Sequence, residues 1–167
     1  FVAIGHVPNT GPLPPERELL ATGHTARERL AGLRDVFPGA YGESASGSSI
    51  ADGHAAGLRL LSLPAEARPT AIVAQSDLLA LGVLRAAEEL GLDVPGDVSI
   101  LGFDGVRLDE AAPHVLTTLV QPAVEKGEVA AAAVFAALAG GHPSPVLLHC
   151  DLRLGTTTGP APPSSSS

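Results

Sequence analysis

Asp104 ends a short apolar run, VSILGFD over 98–104. A carboxylate there could accept hydrogen bonds from two hydroxyls of a sugar, or from a base or amine N–H, and such charge-assisted bonds are the stronger class. In open parallel α/β sheets ligands sit outside the carboxyl ends of the strands, so Asp104 is a ligand-contact candidate on geometry; the alternative is that it caps the turn GVRLDE. Ser76 and Asp77 follow a second apolar run, 70–74, at the same crevice. The Ser76 hydroxyl has one donor hydrogen and reaches a ligand directly or through water. Asp77 reads as a first-turn acid favoured by the helix dipole. Arg29, in TARERLAGL, carries a rigid guanidinium fork suited to a hydroxyl pair or a carboxylate. The residues alone favour a solvated helix arginine paired with Glu28 or Asp35. Gln121 reads first as a polar residue opening a helix.

Other chemistries lack their signals. The six histidines form no HxxxH or similar ligand pair, so no metal site is expected. No G-x-x-x-x-G-K-[ST] loop, G-x-G-x-x-G turn or G-x-S-x-G elbow occurs, which argues against a nucleotide cofactor and against an enzyme. Nothing in the spacing of Asp104, His114, His149 and Ser76 suggests a nucleophile triad. Cys150 lies in the strand-like run VLLHCDLRL and reads as a small buried hydrophobe rather than a nucleophile.

The elements that would position these residues alternate in type. FVAIG, 1–5, reads as a buried parallel strand, and 7–15 as loop. Thr25 is placed to cap a helix through Asp35, with Glu28 completing a capping box. Residues 42–49 read as a small-residue loop. A second helix spans 49–63, with Ile50, Ala55, Gly57, Leu58 and Leu61 available for packing, and Pro64 stops it. The run 69–105 is a complete strand–helix–strand crossover, its helix capped by Ser76 or Asp77 and closed by Gly91. Residues 116–120 give a further strand. A helix opens at Gln121 and Pro122 and stops at Gly140 and Gly141. Residues 146–154 form one bent or two short strands, and 156–167 has the composition of a disordered tail. Alternating strands and helices predict an α/β fold with a mainly parallel sheet.

The wording of 69–105, PTAIVAQSDLLALGVLRAAEELGLDVPGDVSILGFDG, with LTTLVQPAVEKG at 116–127, resembles the effector-binding core of lactose-repressor/galactose-repressor (LacI/GalR) regulators. There an LxALGxLRA helix and a VPxDVSIxGFD strand follow one another in the same way. The resemblance covers about 1–158 and implies a periplasmic-binding-protein-like type I fold, present incompletely. It divides the chain into a C-terminal effector lobe at 1–119, a crossover segment at 120–143, closing strands at 144–158 and a tail at 159–167. It also implies a pocket in which Arg29, matching the arginine of RLAG, and Asp104 are polar anchors. Thr25, Ser76 and Gln121 stand at matching positions around them. A two-fold pairing through Leu78, Leu81 and Leu84 is implied as well, giving a homodimer.

Three departures stand out. GFDD is GFDG here, so Gly105 removes a second carboxylate. The closing R-x-S-T is replaced by Gly155-Thr156-Thr157-Thr158, without its tethering arginine. The family's helix-turn-helix DNA reader and most of its N-terminal lobe would precede Phe1, and the absence of any methionine fits a piece of a longer chain.

Composition narrows the partners. A net charge of −8 argues against nucleic-acid contact by these residues, so operator DNA is expected only through the preceding reader. The single cysteine fits a reducing cytoplasm, and no run approaches the ~18 apolar residues of a membrane span. The expected function is an effector domain binding a small metabolite, a sugar first, that controls DNA binding allosterically without a cofactor. A sugar-binding protein of a transporter is the alternative on the same fold.

Overall fold

In a computed structural model the described residues are 2–3, 24–106 and 113–161. The crossover predicted over 69–105 is its centre. Strand β3 (Ala71–Ala74) leads through Gln75 and Ser76 into helix α3 (Asp77–Glu89), and β4 (Ser99–Asp104) returns parallel to β3, Ile72 opposite Ile100. Ser76 is the N-cap: its backbone is extended and its hydroxyl accepts from the Leu79 amide at 3.3 Å. Gly91, at φ +67°, closes the helix as expected. Strand β5 (Thr117–Val120) adds parallel to β4.

Two of the flanking strands, the one beside β3 and the one beside β5, run the other way. The described sheet has the order β2-β1-β3-β4-β5-β6, in which β1 (Val2–Ala3), β2 (Gly42–Glu43) and β6 (Asp151–Arg153) are the outer members. β1 is antiparallel to both β2 and β3, so the parallel reading of residues 1–5 is corrected for Val2 and Ala3. An apolar run encodes burial, not direction, and the partners decide direction. The predicted small-residue loop at 42–49 likewise begins with β2, and the predicted loop at 7–15 lies outside the described residues.

Helices α1 (His24–Val36) and α2 (Ile50–Leu61) precede the crossover. Alternation along β3 and β4 buries Ile72, Ala74 and Ile100, on which the Leu79, Ala80, Val83, Ala86 and Ala87 face of α3 packs. α2 lies against α3 with Ala56, Leu60 and Leu61 buried, whereas Ala55 is exposed. The two helices approach so closely that a Cβ on Gly82 would collide with the Ile50 carbonyl and the His54 amide, and one on Gly53 with Leu79. Each fully buried Leu or Ile in this layer contributes about 1.5–3 kcal/mol.

Helix α4 (Ala123–Leu138) stands apart, with no buried residue and with Val124, Val134, Phe135 and Leu138 exposed. An open groove of about 730 Å³ separates it from 143–150. Cys150 lines that groove and is exposed, against the buried expectation, because it precedes the edge strand β6 instead of entering the core.

The threonine-rich tail is ordered where it meets the sheet. Thr157 is fully buried: its hydroxyl donates to the Ile100 carbonyl at 2.7 Å and accepts from the Thr117 amide at 3.0 Å. Its carbonyl accepts from the Ile100 amide at 2.7 Å, and Gly159 exchanges bonds with the Ser99 hydroxyl. A composition typical of disorder is overruled here by hydroxyls that satisfy backbone groups at the amino ends of β4 and β5.

Candidate functional site

Because β3, β4 and β5 are parallel, their carboxyl ends fall on one edge of the sheet, at Gln75–Ser76, Asp104 and Gln121. Asp104 is described among the non-glycine residues as the one with positive φ, +119°. For an L-residue that backbone is costly and is kept only where the surroundings hold it. The surroundings do so from two sides.

On one side is Asp77. Placed in the first turn of α3 as expected, its carboxylate is nevertheless fully buried and turned to the sheet. It accepts from the Val106 amide at 2.7 Å, just past Asp104, and from the Thr118 hydroxyl of β5 at 2.6 Å. A Cβ on Gly102 would strike this carboxylate, so glycine there leaves room for the acid. Burial pushes the Asp77 carboxyl above the ordinary carboxylate value, and the nearby Asp104 adds to the rise, against hydrogen bonds from Thr118, Val106 and Gly105 that lower it. By residue type Asp77 is a dipole acid alone; the signal for more is Gly102 and Thr118, whose proximity no spacing rule reveals.

On the other side is Gln121, whose Nε2 donates to Asp104 Oδ1 at 2.6 Å and whose backbone amide reaches the Asp104 carbonyl at 3.3 Å. Lys126 Nζ donates in turn to Gln121 Oε1 at 3.3 Å. The turn after Asp104 is tethered by Arg153 of β6, which donates to the carbonyls of Gly105 (3.3 Å) and Val106 (3.1 Å). A tethering arginine is thus present, two residues ahead of Gly155.

Arg29 reaches the same edge from α1. Its Nη1 donates to the Gln75 carbonyl at 2.7 Å, and its guanidinium lies over the Phe103 ring, 3.6 Å from the centroid. Gln75 Nε2 answers by donating to the Ala26 carbonyl at 3.2 Å. The alternative pairing of Arg29 with Glu28 or Asp35 gives way to this arrangement, because a planar cation gains from stacking as well as from donating. Phe103 and Gln75 were not singled out in the sequence, although both sit at strand ends.

Thr25 does not cap α1. The helix already includes His24, so Thr25 lacks the extended backbone a cap needs and is an exposed residue one turn before Arg29. Glu28 lies 3.9 Å from His24 instead of closing a capping box. On α3, Leu78 is 41% exposed while Leu81 and Leu84 are half-buried, Leu84 against the core. Among the described residues no group of three His, Cys, Asp or Glu could hold a metal ion.

Residues 1–158 match the periplasmic binding protein-like domain family. The chain belongs to that family. Within this periplasmic binding protein-like family its relatives are LacI/GalR-type regulators, and the chain corresponds to their effector-binding portion. The HTH-type transcriptional repressor CytR of Escherichia coli is 38% identical over 102 residues, 60% of this chain and 29% of the relative. A LacI family transcriptional regulator from Arthrobacter sp. FB24, in complex with lactose, superposes with a TM-score of 0.69 at 25% identity, over 86% of this chain and 54% of that one. One from Lactobacillus casei with bound glucose gives a TM-score of 0.56 at 27% identity, over 66% and 40%. This periplasmic binding protein-like chain spans between 19% and 41% of the length of curated relatives it matches. Those relatives carry the names of regulators, not of enzymes.

Proposed function

We propose that the chain is the effector-sensing part of a bacterial transcription repressor and binds a sugar at the carboxyl edge of its sheet. The observation that carries this reading is the placement of Arg29 over Phe103, next in sequence to Asp104, with Gln75, Ser76 and Gln121 on the same edge. A guanidinium fork and a carboxylate can each take a vicinal hydroxyl pair, one donating and the other accepting. Sugar in two solved relatives supports the ligand class. Arg29 and Asp104 are the anchors, and Ser76, Gln121 and Thr25 border them.

In the whole protein, sugar binding would alter operator affinity through a helix-turn-helix outside these residues. Such coupling requires that the sugar favour one of two conformations. The setting is the cytoplasm, where operator DNA lies, and no helix among the described residues is long and apolar enough to cross a membrane. The working assembly is a homodimer through Leu78, Leu81 and Leu84, with no cofactor.

Isothermal titration with lactose and with glucose tests the site. Binding to the wild type that is abolished in both Arg29→Ala and Asp104→Ala is the expected result. Binding that survives either substitution unchanged overturns the anchor assignment.

A further inference from the structure

Gln121 already occupies one of the two carboxylate oxygens that a hydroxyl pair would use at Asp104. Its Nε2 lies 2.6 Å from Asp104 Oδ1, the length of a strong charge-assisted bond. A glutamine amide can point either way, but here a pure donor and a pure acceptor flank it. Lys126 Nζ can only donate and the Asp104 carboxylate can only accept, so Oε1 must face Lys126 and Nε2 must face Asp104. The three side chains form one ordered relay that starts at the end of β4 and finishes one turn inside α4.

We infer that Gln121, oriented by Lys126, is a built-in competitor for the effector at Asp104 Oδ1, and that a sugar binding through both carboxylate oxygens must displace it. The inference rests on the reading of Asp104 as an anchor. Displacement has a structural consequence. Gln121 is the residue between β5 and the N-cap of α4, so moving its side chain releases Lys126 and loosens the start of that helix. Affinity for the sugar is then lowered by the fraction of molecules in which Gln121 is bound to Asp104. Gln121 thereby sets the sugar concentration to which the domain responds, and Lys126 is a positioning residue acting through it.

Two measurements on the full chain separate this from a simple contact role. In ligand-free protein, NMR should show the Gln121 side-chain amide protons protected from solvent exchange, with protection lost in Asp104→Ala and reduced in Lys126→Met. An amide exchanging in the wild type as fast as an exposed glutamine overturns the inference. In titrations with lactose and glucose, Gln121→Ala should bind more tightly, by about tenfold if the relay is closed most of the time. Lys126→Met should move affinity in the same direction by less. Weaker binding by Gln121→Ala would make Gln121 a direct contact and sink the competitor role; unchanged affinity in Lys126→Met removes Lys126 from it. Failure of the anchor reading looks different: Asp104→Ala then binds sugar as the wild type does, or the wild type binds neither sugar, while the exchange result still reports on the relay alone.

Discussion

The Arg29 guanidinium is stacked 3.6 Å over the Phe103 ring and bonded at 2.7 Å to the Gln75 carbonyl, which fastens α1 to the ends of both β3 and β4. One side chain so joins an early helix to the strand edge where the candidate anchors stand. Stacking leaves part of the guanidinium fork for a ligand, since one nitrogen serves Gln75 and five N–H groups are available in all.

Replacing Arg29 separates its two duties. Arg29→Ala should cost about 1–2 kcal/mol of stability, from a lost cation–π contact and a lost bond to the backbone. Arg29→Lys keeps the charge but cannot stack and fork together, so it should regain part of the stability and little of the sugar binding. Urea denaturation and calorimetry on the same pair of variants read the two effects.

Asp77 and Asp52 should respond to acid in opposite senses. Burial raises the Asp77 pKa above its ordinary 3.8, so between that value and the raised one the native state holds a proton the unfolded chain has released. Its contribution is therefore fully present below 3.8 and falls as pH rises through the native pKa. The Asp52 carboxyl is held below 3.8, chiefly by the Ser49 hydroxyl and then by Ser46, so its contribution is present above 3.8 and fades as pH falls through the native value. Between about pH 4 and pH 7 the wild type should lose more stability on raising pH than Asp77→Asn does. Below about pH 4 it should lose more on acidification than Asp52→Asn. Equal slopes in denaturant titrations across these ranges would refute the assignment.

Thr157→Val should destabilise by about 1–3 kcal/mol, because it keeps the volume but leaves the Thr117 amide without its buried partner and removes the bond to the Ile100 carbonyl. Thr156→Val removes a bond to the Val115 amide in an exposed setting, where water can replace it, and should cost less. Thermal melts of the two variants decide the order.

The homodimer is expected to depend on the outer flank of α3. Leu78 is the most exposed of Leu78, Leu81 and Leu84, Leu81 is half-buried, and Leu84 also packs on the core. Leu81→Arg and Leu78→Arg should each halve the sedimenting mass while leaving the circular dichroism spectrum intact. An unchanged mass would place the pairing elsewhere, and unfolding would make these residues part of the core.

Much of this chain is legible because local rules suffice over 69–105 and 116–138, backed by tertiary packing in the crossover. Strand β3, the Ser76 cap, the Gly91 stop, the two later strands and helix α4 with its Gly-Gly end stand where residue types put them. Legibility failed where a residue's partner is distant in sequence. Thr25 reads as a cap although the helix already includes His24, and Cys150 reads as buried because strand-like runs do not announce that they lie at an edge.

The sequence by itself determined the family, the α/β class and the strand ends that carry Asp104, Ser76 and Gln121, since periodicity, caps and stops are short-range properties of residue types. Tertiary structure decided which groups meet: Asp77 with Thr118 across 41 positions, Arg29 with Gln75 across 46, and Thr157 with Ile100 across 57. It also decided the direction of the outer strands. Those pairings arise from burying polar groups that must then find partners wherever the fold brings them, and no local pattern records where that will be.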